Sequence, residues 1–172
     1  MTKRDVIITI KTSRLDSGLQ FFEDNNFVYT FDPDDREPEE KQEMPPPTEM
    51  ITEGKLVTSP NRVELVYEET VLSGMEGSVT AIGFDRDQPG MISMIRSGNV
   101  STALIFEEGE RHYSVFDTPL STFQLCTYTE LVENRLLTDG TIRIEYIIEI
   151  RGGFAGRRKM KIELLPNVKE IL

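Results

Sequence analysis

The chain predicts an all-β fold, an antiparallel up-and-down β-barrel of about eight to ten strands, and three observations carry that prediction. Polarity alternates with period two in segment after segment from residue 50 onward, turn-forming residues punctuate the segments, and no apolar stripe keeps helical spacing over successive turns. Val63, Leu65, Tyr67 and Val71 share one face against Glu64, Glu68 and Thr70. Ile142, Ile144, Tyr146, Ile148 and Ile150 alternate with Arg143, Glu145 and Glu149, and Met160, Ile162 and Leu164 with Lys159, Lys161 and Glu163. Such alternation marks strands that are dry on one face and wet on the other.

In chain order the candidate strands cover residues 5–12, 50–57, 63–73, 77–85, 91–97, 100–107, 110–117, 121–132, 141–151 and 158–165. The breaks between them carry turn chemistry: Pro60-Asn61, Gly74 to Gly77, Pro89-Gly90, Ser97-Gly98-Asn99, Glu108-Gly109, Asp139-Gly140 and Gly152-Gly153. Thr129 to Leu137 is read as holding a short helical turn. A sheet of this many strands leaves two exposed edges unless it curls and closes, which favours a barrel. A sandwich of two antiparallel sheets is the alternative that periodicity alone leaves open.

Length and charge bound the rest. The 172 residues correspond to one domain, 1–172. Nineteen basic against 30 acidic residues give a net charge of −11, which repels nucleic acid and anionic membranes, so neither is an expected partner. With one cysteine and one histidine, neither an internal disulfide nor a zinc site is expected, and a reducing cytoplasm fits best. The run Val6 to Ile10 is too short for a signal peptide, and no run matches a membrane-spanning helix.

Residues 13–49 interrupt the β pattern as an insertion. Its part 32–49 holds eight acidic residues against Arg36 and Lys41, with Pro33, Pro38 and Pro45-Pro46-Pro47, a composition that predicts disorder. Phe21, Phe22, Phe27, Val28, Tyr29 and Phe31 flank Asp24-Asn25-Asn26, as a short hairpin or an adhesive part of the loop. The acidic arm would suit a basic protein partner, would fold back on Arg151, Arg157, Arg158 and Lys159, or is a tolerated insertion without a role.

Thr52-Glu53-Gly54-Lys55, Tyr67-Glu68-Glu69-Thr70, Ser73-Gly74-Met75-Glu76-Gly77, Ile95-Arg96-Ser97-Gly98, Phe106-Glu107-Glu108-Gly109, Asp117-Thr118-Pro119 and Ile144-Glu145-Tyr146 follow one another in the chain. In that order they resemble the YwiB-like family, bacterial proteins of unknown function. The resemblance covers residues 50–165 and the first strand, and it implies a calycin-like (lipocalin-like) barrel. The acidic insertion departs from the family, where that connection is shorter.

Continuing the inward face from Val63 places Glu69 among core residues, and an inward Ile92 and Met94 would bring Arg96 inward with them. Either charge buried alone is costly, so a pair is expected. With Tyr67, Thr127, Thr129 and Tyr146 these residues would line a pocket with apolar walls and a few polar groups, as a ligand site does. The plainer readings are an ion pair at the barrel end, or an outward Arg96 in a solvated turn. His112 lacks a nucleophile on its own face, and Cys126 a basic neighbour in its strand, so both read as ordinary strand residues. Neither phosphate-binding glycine motif is present, and no cofactor is expected. Non-catalytic binding of a small, partly apolar ligand leads; an interaction module acting through the acidic arm and an enzyme using Glu69 and Arg96 are the competitors.

Overall fold

The structure, a computed structural model, describes residues 1–15 and 47–166. Ten strands form one antiparallel sheet: β1 (Thr2–Arg14), β2 (Thr48–Thr58), β3 (Arg62–Glu68), β4 (Ser78–Asp85), β5 (Met91–Gly98), β6 (Thr102–Glu107), β7 (Arg111–Asp117), β8 (Thr122–Arg135), β9 (Thr141–Ile150) and β10 (Gly153–Pro166). Their order is β6-β5-β4-β3-β2-β1-β10-β9-β8-β7. Each strand therefore pairs with its neighbour in sequence and the first pairs with the last, with one exception. Between β6 and β7 the ladder is interrupted, and the nearly closed barrel meets itself there along a seam.

Ties at its two ends hold the seam. Ser101 and Asp117 exchange backbone hydrogen bonds, both at 2.9 Å; at the other end the turn joining β6 to β7 is anchored on β8, the Gly109 amide donating to Thr129 O at 2.8 Å and the Thr129 amide to Glu110 O at 3.3 Å. In the middle the Thr127 hydroxyl contacts the carbonyls of Ile105 (3.3 Å) and His112 (3.4 Å), one on each side of the gap.

Inward-facing residues form a buried apolar core at one end of the barrel. Ile8, Val63, Leu65, Ile92, Phe106, Ile144 and Ile162 have no exposed surface, and burial of each such side chain is worth about 1.5–3 kcal/mol. Towards the other end, where β1, β3, β5, β7 and β9 finish, the packing opens into a hollow. Charged side chains lie on the outer face: Arg62 bonds Glu64 (2.7 Å) and Asp85 (3.0 Å), and Arg143 bonds Glu133 (2.8 Å).

Several sequence expectations are revised. The third strand stops at Glu68, and Val71 to Ser73 form a single 3-10 turn, so Val71 is 71% exposed rather than part of the inward stripe. No helical turn occupies Thr129 to Leu137, because β8 runs to Arg135 and absorbs its irregularity as a bulge between Thr129 and Leu131. The last strand begins at Gly153 rather than near 158; Arg151 (φ 52°) and Gly152 (φ 77°) make the tight turn, and both left-handed conformations match the hairpin twist. The basic concentration is thereby split across the strand: Arg157 points outward to Glu130 at 2.7 Å, while Arg158 faces the hollow. Ser13 and Arg14 belong to β1, and Thr48 and Glu49 to β2, so the insertion is shorter than 13–49. Most of the acidic arm and the aromatic segment 21–31 lie outside the described residues.

At Gly54 on β2, an added Cβ would lie 2.5 Å from Ile8 Cδ1 and 2.7 Å from the Val66 carbonyl oxygen. The methyl end can move, but the backbone oxygen belongs to the ladder and cannot. Gly54→Ala is expected to cost about 1–3 kcal/mol, read as a lowered urea midpoint with an unchanged slope.

Candidate functional site

A cavity of about 360 Å³ occupies the hollow half of the barrel. Cross-strand register builds its polar wall. Tyr67 pairs with Thr80, and Thr80 with Arg96, so β3, β4 and β5 present the three side chains as one rung. Glu69, two residues beyond Tyr67 on the same face, reaches back to this rung. Its Oε1 accepts from the Thr80 hydroxyl at 2.5 Å and from Arg96 Nε and Nη2 at 3.1 and 3.0 Å. Arg96 Nε also contacts Thr80 Oγ1 at 3.1 Å. Side-chain exposure of only 2% for Glu69 and 7% for Arg96 makes this a buried ion pair with its hydrogen bonds supplied from within the wall.

The opposite wall carries a second rung, in which Tyr146 of β9 lies beside Arg158 of β10. The Tyr146 ring packs on Phe106 with centroids 4.9 Å apart. Burial, more than the charge of Glu69, pushes the Tyr67 phenol far above the ordinary tyrosine range, with Arg96 acting the other way. Burial also raises Tyr146, against the opposing fields of Arg158 and Arg96. The remaining lining is largely apolar, with Met50, Met94 and Met160 among it and Leu104, Phe116 and Ile148 near the seam and mouth.

Of the residues singled out from sequence, Tyr67, Glu69, Arg96, Thr127 and Tyr146 line this cavity. Thr127 does so with its hydroxyl committed to the seam carbonyls. Thr129 is corrected: it is fully buried but off the cavity wall, and its backbone ties the seam. Thr80, Arg158 and the methionines were missed. Counting back from inward Ile82 would have found Thr80, but its place opposite Arg96 needs the register. Arg158 opens the expected strand 158–165 on the face of Met160 and Ile162, but it reads as part of a basic, solvated hairpin.

The other chemical candidates lie elsewhere. Cys126 is buried on the outer side of β8, where burial and Glu149 raise its thiol pKa more than Arg111 lowers it. His112 Nε2 lies 3.2 Å from Glu107. Among the described residues no group of three or more His, Cys, Asp and Glu side chains is placed to hold a metal, and no helix is long and apolar enough to cross a membrane.

These features define an antiparallel β-barrel, packed at one end and hollow at the other, with a buried ion pair in the hollow wall. The model of a family described as a domain of unknown function, DUF1934, matches residues 35–162, and the chain belongs to that family. The match begins inside the acidic segment and leaves β1 outside. The crystal structure of the ywiB protein from Bacillus subtilis is similar, with a TM-score of 0.66 at 18% identity, covering 96% of this chain and 93% of that one. It shares the fold. No curated protein matches the chain.

Replacing one member of the pair strands the other charge, so Arg96→Leu is expected to cost about 3 kcal/mol or more, and Glu69→Gln with Arg96→Leu less than the sum of the single changes. Urea denaturation of the three variants measures this; additive effects below about 0.5 kcal/mol would contradict the pairing.

The raised phenols predict an alkaline effect of defined sign. A phenol with a higher pKa in the folded state contributes stability that is complete below about pH 10, the unfolded value, and is lost as pH rises through the folded value. Ultraviolet titration of the five tyrosines should therefore show a group that ionises only as the chain unfolds, diminished in Tyr67→Phe.

Proposed function

We propose that the protein binds one small, partly apolar molecule in the hollow half of the barrel and carries out no reaction on it. The single observation behind this reading is the cavity of about 360 Å³, apolar over most of its wall and polar at one buried cluster. Its volume falls at the lower end of the range for small-molecule sites, about 300–1,000 Å³. Catalysis is the weaker reading because Glu69, the carboxylate in the wall, is engaged by Thr80 and Arg96 and is poorly placed to accept a proton. Cys126 lies away from the cavity, and so does His112. The lone cysteine, which can form no internal disulfide, fits a reducing compartment such as the cytoplasm. A basic protein partner for the acidic arm remains an expectation from charge alone.

The test uses N-phenyl-1-naphthylamine, an apolar dye whose emission rises out of water. It should bind the full-length protein with one-to-one stoichiometry. Ile148→Trp, which places a larger ring on the cavity wall, should weaken binding about tenfold or more while preserving the fold by circular dichroism. Absence of stoichiometric binding, or binding indifferent to Ile148→Trp, would overturn the reading.

A further inference from the structure

Two hydrogen-bond donors on residues of the cavity wall have no partner among the described residues. Glu69 is the carboxylate in its wall, and its Oε1 already takes three hydrogen bonds, with the Tyr67 hydroxyl also beside the carboxylate. Thr127 is committed to the seam. Arg96 is different. Of its five N–H groups, those on Nε and Nη2 face Glu69, Thr80 and the Met94 sulfur, whereas Nη1 has no acceptor among the described residues. The Tyr146 hydroxyl, on the facing wall, has no hydrogen-bond partner among the described residues either. Both residues are more than nine-tenths buried and both line the cavity. Neither donor atom is among the sealed, partnerless polar atoms of the interior, so both are available to an acceptor in a space walled mainly by apolar groups.

We infer that the ligand is a monocarboxylate with an apolar body, its head group held between Arg96 Nη1 and the Tyr146 hydroxyl. This rests on the reading of the cavity as a ligand site and adds the chemical class. A carboxylate is an acceptor only, and its hydrogen bonds to a guanidinium are charge-assisted and among the stronger ones. Met50, Met94 and Met160 give the apolar body an adaptable, polarisable wall. At about 30 Å³ for each water-sized unit, a cavity of about 360 Å³ takes about a dozen non-hydrogen atoms. A straight-chain acid of about ten carbons has that size.

The test is calorimetric titration of the full-length protein near neutral pH with decanoate, 1-decanol and decylammonium, molecules of equal reach that differ in the head. Decanoate should bind one-to-one and at least about tenfold more tightly than decanol, and decylammonium more weakly than either. Tyr146→Phe, which keeps the ring on Phe106, should narrow the preference for decanoate over decanol about tenfold. Glu69→Gln with Arg96→Met, which strands no charge, should abolish it. Equal binding of decanoate and decanol, or a preference unchanged in either variant, would overturn the carboxylate assignment. If none of the three binds while the naphthylamine dye does, the ligand class is wrong and the cavity reading stands. If the dye also fails, the cavity reading itself falls.

Discussion

A sheet that pairs its first strand with its last can close only if its two edges also meet, and here those edges are β6 and β7, consecutive strands joined by a three-residue turn. An ordinary hairpin would have zipped them together. Instead the backbone ties lie at the two ends of the seam, and the Thr127 side chain reaches the carbonyls between them. Two exposed edges would invite pairing with other chains; the short ties remove most of that exposure. They also leave the wall there to side chains: Leu104 of β6, Phe116 of β7 and Phe123 of β8 border the hollow where a ladder would otherwise run.

Closure also sets how the interior is used. At the packed end the inward positions are almost all Ile, Leu, Val and Phe, which interdigitate without remainder. At the hollow end the inward positions turn to Thr12, Tyr67, Glu69, Thr80, Arg96, Tyr146 and Arg158, side chains that keep polar atoms facing one another or the cavity. A buried ion pair contributes little net stability compared with an apolar replacement of the same shape. Its value lies in direction. Holding Glu69 with Thr80 fixes Arg96 on two of its nitrogens and leaves the third without a partner among the described residues, on a side chain that lines the cavity.

The outer face shows the opposite economy. Arg157 and Glu130 meet across β9, both next to bulges that tilt their strands, while Arg111 stacks over Tyr128 at 4.6 Å and bonds Glu149. These exposed and half-exposed contacts are individually weak because solvent screens them. They lie across the ladders of β7 to β10 on the outer face.

Features set by local chemistry were legible in the residues alone. Period-two alternation from residue 50 onward, together with the apolar run at 5–12, marked ten candidate strands and their dry faces, because a strand's side chains alternate whatever it pairs with. The cost of a lone buried charge coupled Glu69 to Arg96 before any register was known. The ends were misjudged where local pattern and backbone path diverge: Val71 fits the alternation but follows the chain into a 3-10 turn, and residues 153–157 look like a loop yet extend β10. Only the tertiary structure decided that Thr80 stands opposite Arg96, that Arg158 and Tyr146 share a rung, that Thr129 faces the seam rather than the cavity, and that one half of the interior is hollow. Those are properties of register, shear and closure. They depend on contacts between residues tens of positions apart, and neither periodicity nor composition encodes how far one strand slides along the next.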